Sequence, residues 1–219
     1  MGPEENWKRL IEIYNHSKAL HMLAEEIDPE HETFVAPLIQ HRDTLDHILR
    51  AKAGELKMLP DTDDEHANRN LDKALGHAYR AFFDVADWLG VLLREKALAP
   101  LNGRTTECIQ AVMPEYFTSW RRTLDDAAER LVEVRSAKDV GDGGALIQEV
   151  DRYVVILDEM HRIVKEIRAR EGAASDWISR DGQKSKLQKR TDWTIAIAAG
   201  LLCVAVGAVA GVLLPKFFP

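Results

Sequence analysis

The stretch WTIAIAAGLLCVAVGAVAGVLL, Trp193 to Leu214, is 22 residues without a single charge. At about 1.5 Å of rise per residue a helix of that length reaches roughly 33 Å, enough to cross a hydrocarbon layer about 30 Å thick. The alternative, a helix buried in a soluble core, uses shorter uncharged runs. Trp193 stands at one end and Phe217 and Phe218 at the other, placed as amphipathic rings are at the two faces of a bilayer. Only PKFFP follows the span. The expectation is a single C-terminal transmembrane helix at 193–214 with a short tail at 215–219, the pattern of a tail-anchored protein.

Charge sets the expected orientation. Lys184, Lys186, Lys189 and Arg190 precede the span and only Lys216 lies beyond it. The positive-inside bias then keeps the large N-terminal part in the cytoplasm, on a cell inner membrane crossed once. The same four cations can hold anionic lipid headgroups, at about 1 kcal/mol per charge near the surface. Membrane lipid is therefore the first expected partner. The opening MGPEENWKRL has no apolar signal core, and Pro3 and Asn6 do not suit myristoylation.

Within the span, Ala199, Cys203, Gly207 and Gly211 recur every four residues. Small side chains on one line let helix backbones pack closely in lipid. A homo-oligomer, dimer or higher, is expected through this ridge.

Residues 1–175 carry 23 Lys and Arg against 33 Asp and Glu, a balance of −10. An acidic body excludes broad nucleic-acid coating, which needs many phosphate contacts, but leaves room for a local RNA site. Two cysteines, Cys108 and Cys203, supply no disulfide framework and fit a reducing compartment.

The body, residues 1–172, reads as an all-α antiparallel bundle of about five helices. Breakers at DPEH (28–31), PDTDD (60–64), APLNG (99–103) and GDGG (141–144) separate apolar stripes of helical period. The first helix spans about 3–27, with Leu10, Ile13, Leu20, Ala24 and Ile27 on one stripe. The second restarts at Asp28 as N-cap with Pro29 behind it and runs to about Leu56, bent at Pro37. The third carries Leu71, Leu75, Ala78, Phe82, Val85, Leu89 and Leu92. The fourth, interrupted near Pro114, carries Met113, Phe117, Trp120, Leu124, Ala127, Leu131 and Val134. The fifth carries Leu146, Val150, Tyr153, Leu157, Met160, Val164 and Ile167. Spacing of 4-3-4-3 favours shallow crossing angles and short up-down links. Residues 173–192 read as a basic juxtamembrane connector, part of it a short helix capped by Ser175.

The segment HRDTLDHILRA, His41 to Ala51, contains Arg42 and, five places on, His47. At about 100° per residue, Leu38, Leu45, Leu49 and Leu56 share one side, which is expected to face the core. Arg42 then borders the core and His47, about 140° away from it, points outward. Arg42–Asp46–Arg50 and Asp43–His47 are also i,i+4 pairs that stabilise an ordinary exposed helix. A second Arg–His pair, Arg9 and His16, also matches the bare spacing, so spacing alone decides nothing. In GHAYRAFFDVADW, His77, Arg80, Asp84 and Trp88 fall on one face, either as a second cleft wall or as an i,i+4 pair beside a packing tryptophan.

HRDTLDHILRA together with NLDKALGHAYRAFFDVADWL, Asn70 to Leu89, resembles helical proteins of the HEPN superfamily and their relatives in bacterial conflict systems. There an Arg, a polar residue and a later His mark a ribonuclease site. The resemblance implies metal-independent RNA cleavage at a dimer interface, with His47 in proton transfer and Arg42 holding phosphate charge. His77, Arg80 and Asp84 would line the same cleft. The family motif usually opens a helix, whereas this one lies inside a helix, and many relatives are inactive scaffolds.

Asp43–His47, Asp158–His161 and Asp28–His31 each offer two ligands from a helix face, too few for a di-iron bundle site. Neither cysteine has a metal-binding neighbour. No metal and no cofactor is expected. Two functions stay open. One is a membrane-anchored, oligomerising bundle acting as a signalling, effector or scaffold component in bacterial antiviral defence. The other is a HEPN-like ribonuclease effector tethered to the membrane. RNA, or a nucleotide-sensing or RNA-guided protein, is the further partner these readings imply.

Overall fold

The computed structural model describes residues 3–28, 30, 32–60, 63, 65–137 and 143–217, without the side chains of 3, 135–137, 143–147, 198 and 200–217. Among the described residues there are helices and turns and no strand. In chain order these are α1 (Pro3–Ile27), α2 (Val35–Glu55), α3 (His66–Leu98), a 3-10 turn at Ala99–Leu101, α4 (Thr106–Val112), a π-helical turn at Tyr116–Trp120, α5 (Arg121–Ala137), α6 (Gly143–Ala169) and α7 (Glu171–Phe217).

Helix α3 is the axis of the body. Its 33 residues extend for roughly 50 Å. Fifteen of them are buried, because α1 and α2 pack along one side and α5 and α6 along another. The stripe Leu71, Ala78, Phe82, Val85, Leu89 and Leu92 is buried as its spacing predicts. Phe82, Phe83 and Tyr153 meet edge to face at the centre. Tyr153 satisfies its hydroxyl by donating to Asp87 Oδ1 at 2.9 Å. Gly90 lets α5 and α6 come close: a Cβ there would lie 2.9 Å from Leu131 Cδ1.

Two local departures have clear causes. Phe117, expected inside, is 41% exposed, and Tyr116 takes the buried place. Pro114 breaks the preceding helix and the π turn at 116–120 inserts a residue, so the 4-3 phase slips by one position before α5 resumes it. The loop after α1 does not restart a helix at Asp28. Asp28 Oδ1 accepts from Glu30 N at 3.0 Å, an Asx turn, and α2 begins at Val35 with Pro37 buried in its first turn.

The expected connector is not a separate element. Helix α7 runs unbroken from Glu171 to Phe217, and Ser175 lies within its first turns, donating back to Glu171 O at 3.2 Å. Buried Ala174 and half-buried Trp177 seat its start on the body, with Cys108 Sγ donating to Ala174 O at 3.7 Å. Arg170, just before it, forms two bonds to Glu115 and stacks over Trp120 at 4.7 Å. From Ile178 to Ile197 the helix is exposed. Among the described residues no helix is long and apolar enough to cross a membrane. Most of the side chains of 193–214, including Cys203, Gly207 and Gly211 of the expected ridge, lie outside the described residues. Ala199 is exposed.

Candidate functional site

The seam between α2 and α3 overturns the expected orientation of α2. Leu38, Leu45, Leu49 and Leu56 are 46%, 54%, 60% and 60% exposed. The buried positions are Pro37, Thr44 and Ala51. The helix is thus turned by about a third of a revolution from the way its leucines would place it. The reason is the surface it sits on. Ala74 is fully buried, and Thr44 and Ala51 are small enough to bring the two backbones close. Thr44 Oγ1 bonds Gln40 O at 2.8 Å within its own helix and reaches Ala74 O at 3.5 Å across the seam. Gly54 lies so near His66 that a Cβ would sit 2.8 Å from the ring.

With small residues at the contact, polar side chains border it. His47, expected to point into solvent, is half-buried against α3. Its Nδ1 lies 3.1 Å from Asn70 Oδ1, and since Oδ1 can only accept, the ring donates. Asn70 is buried and its amide nitrogen contacts His66 Nε2 at 3.2 Å and donates to His66 O at 2.9 Å. His77 stacks on His47, with ring centroids 5.4 Å apart and planes 19° from parallel. His77 Nδ1 lies 2.8 Å from Gln40 Oε1 and 3.4 Å from Arg80 Nη1. One ring nitrogen cannot serve as donor and acceptor at once. The shorter contact assigns its proton to Gln40, leaving Arg80 as a neighbouring charge. Both rings then keep Nε2 as the lone-pair nitrogen.

Arg42 is largely exposed and turns onto Asp43, donating from Nε at 3.0 Å and Nη2 at 2.7 Å to one oxygen. That bond, with the nearby Arg42 charge and the two imidazoles, holds the Asp43 carboxyl below its usual range. Burial, then the Arg80 guanidinium, lowers the His77 pKa. Asp84 is half-buried two turns beyond His77 on the same helix. The fold therefore brings His47, His77, Arg80 and the Arg42–Asp43 pair to one flank of the seam, all within one chain. Gln40, His66 and Asn70 hold the imidazoles in place and were not among the expected site residues. The 66-70-77 spacing on one side of α3 is the signal that could have revealed them.

The remaining expected sites sit apart. Lys184, Lys186, Lys189 and Arg190 are exposed on α7, and all but Lys184 border one shallow depression with Leu187. Trp88 is half-buried against Phe34, at 5.1 Å between centroids, and His21, as a packing residue. Among the described residues, no group of three or more His, Cys, Asp or Glu side chains is placed to hold a metal ion.

The fold and seam define the class as an all-helical bundle with a half-buried histidine network around buried Asn70 between two of its helices. No family model matches the chain, and neither a curated protein nor a solved structure does.

Proposed function

We propose that the chain is a membrane-anchored helical bundle that self-associates and serves as a signalling, effector or scaffold component, its setting a bacterial antiviral defence system. The observation that carries this reading is the uncharged run of 193–214 following four cations on one continuous helix. The cations would meet anionic headgroups on the cytoplasmic side. The run would cross the inner membrane and the ridge Ala199, Cys203, Gly207 and Gly211 would pair copies within it. The exposed length of α7 from Ile178 to Asp192 would then hold the acidic body clear of a like-charged surface. The test is Gly207→Leu in the full chain. Oligomer mass in mild detergent should fall; an unchanged mass rejects pairing through the ridge.

A second reading, a HEPN-like ribonuclease at the membrane, is favoured by the stacked His47–His77 pair beside Arg80 and Arg42. Metal-independent RNA cleavage needs a base for the 2′-hydroxyl, an acid for the leaving 5′-oxygen and a cation for the phosphate charge. His77, its pKa lowered by burial and then by the Arg80 charge, suits the base, the imidazolium form of His47 would be the acid, and the two arginines would hold the phosphate. Arg42→Ala with His47→Ala separates the readings. RNA decay on overexpression should stop if this site cuts RNA; decay that survives both substitutions removes the enzyme reading.

A further inference from the structure

The four leucines that α2 and its C-cap residue leave in water are spaced 7, 4 and 7 residues apart, a pattern that reads the same in both directions about position 47. Helix geometry sets them within about 20° of one line. Beside that line, between α1 and α2, runs a groove of about 550 Å³. Trp7, Leu10, Ile11, Tyr14 and Ile48 make its mainly apolar lining, with His41, Arg42 and Thr44 along the α2 side, and Leu45 belongs to both groove and ridge. A projecting apolar ridge and a matching apolar groove therefore share one face.

We propose that this face binds a second copy of the same chain, with α2 lying antiparallel on its counterpart. The palindromic spacing then sets Leu38 against Leu56 of the second copy and Leu45 against Leu49, while the flanks of each ridge enter the other copy's groove. Such a contact is isologous and closes as a two-fold dimer. The area is adequate. Leu38, Leu45, Leu49 and Leu56, with Val35, Ile39, Ile11 and Tyr14, are each between 44% and 60% exposed. At roughly 50 Å² of apolar surface for each half-exposed large side chain, the eight offer about 400 Å². That is close to the apolar share of a standard interface of about 800 Å² per partner.

Charge agrees with this occupant. The same two-fold brings Arg42 opposite Lys52, but each arrives with its own carboxylate: Arg42 bonded to Asp43, Lys52 to Glu55 at 2.7 Å. Two ion pairs meet rather than two bare cations. Along the ridge Arg42, Arg50 and Lys52 pair with Asp43, Asp46 and Glu55, so the rim carries no net positive charge to draw an anionic lipid surface. A foreign amphipathic helix would have no use for a symmetric spacing. The inference deepens the self-association proposed above but rests on the bundle, so it stands or falls separately from the tail.

The test uses the full chain in mild detergent, with Cys203→Ala to remove the tail thiol. Two differently tagged chains, one with Leu45→Cys and one with Leu49→Cys, are co-expressed and treated with a mild oxidant. The mixed cross-link should exceed the Leu45→Cys homodimer several-fold, and should persist when Gly207→Leu is added. A dominant Leu45→Cys homodimer means parallel pairing and overturns the proposal. So does the absence of both products, or a cross-link that disappears with Gly207→Leu. Leu45→Glu with Leu49→Glu should lower the oligomer mass without changing the far-ultraviolet circular dichroism; an unchanged mass also overturns it. Gly207→Leu alone reports on the tail, so failure of the membrane ridge and failure of the α2 face give different patterns. Protection of the Leu45→Cys thiol from a water-soluble maleimide only when anionic vesicles are present would assign the face to lipid instead.

Discussion

Asn70→Ala asks whether the polar seam, rather than leucine packing, holds α2 on α3. The wild-type amide accepts from His47 Nδ1 at 3.1 Å and donates to His66 O at 2.9 Å. Losing the donor side costs little, since the His66 carbonyl is also within the α3 hydrogen-bond ladder. Losing the acceptor matters more. An N–H left unpaired and buried costs about 1–3 kcal/mol. His47 is only half-buried, so water can reach part of the ring and the lower end of that range applies. Alanine returns up to roughly 0.7 kcal/mol in helix propensity. The balance is a destabilisation of about 0.3–1 kcal/mol, which for a chain this long lowers the melting temperature by about 1–4 °C. Thermal unfolding of the full chain in mild detergent, followed by far-ultraviolet circular dichroism near neutral pH, reads this out. Adding the same substitution to a His47→Phe background completes a double-mutant cycle, and the cost should vanish there. A melting temperature at or above wild type, with no coupling in the cycle, refutes the network as a source of stability.

Other predictions use different parts of the fold. Burial comes first among the causes that lower the pKa values of His41, His77 and His161, followed by the charges of His21, Arg80 and Lys165 respectively. The unfolded chain, with ordinary histidines near 6.5, binds more protons in that window; stability is full above about pH 6.5 and falls as pH drops through the folded values, at no more than about 1.4 kcal/mol per unit per histidine. His77→Gln should flatten that fall in a series of unfolding curves between roughly pH 7.5 and 5.5, and an unchanged slope contradicts the assignment. Leu49→Ser, at a site 60% exposed, should change the unfolding free energy of dilute, monomeric chain by less than about 0.5 kcal/mol. A loss of about 2–5 kcal/mol, the cost of emptying a core leucine site, would mean that α2 faces the other way. Gly54→Ala should displace the His66 ring, seen as a shifted His66 resonance in a histidine-labelled NMR spectrum; an unmoved resonance refutes the close approach.

Much of the bundle was legible in the sequence. Leu10, Ile13, Ala24, Phe82, Leu89, Leu124 and Leu157 sit in core positions that their period assigns, because each belongs to a helix whose largest side chains face its neighbours. Helix α2 broke that logic. Its strongest apolar line lies outside, since the contact with α3 is made by Thr44, Ala51 and Ala74, and small residues weigh little in a hydrophobic pattern. The candidate site was affected by the same error. Arg42 and His47 were expected on diverging faces, with a second chain needed to complete the cleft. The rotated helix instead brings His47 onto His77 of the same chain. Asn70 and Gln40 passed unnoticed because a polar residue on a helix surface carries no mark of the partner it will meet. The slip at Phe117 has a similar source: a π turn changes the phase of a helix, and the only local warning is Pro114.

The most direct test of the anchor is extraction of membranes in alkaline carbonate, comparing the full chain with one stopped after Asp192. The full chain should stay with the membrane pellet and the shortened chain should be released. Release of the full chain into the wash would contradict the anchor.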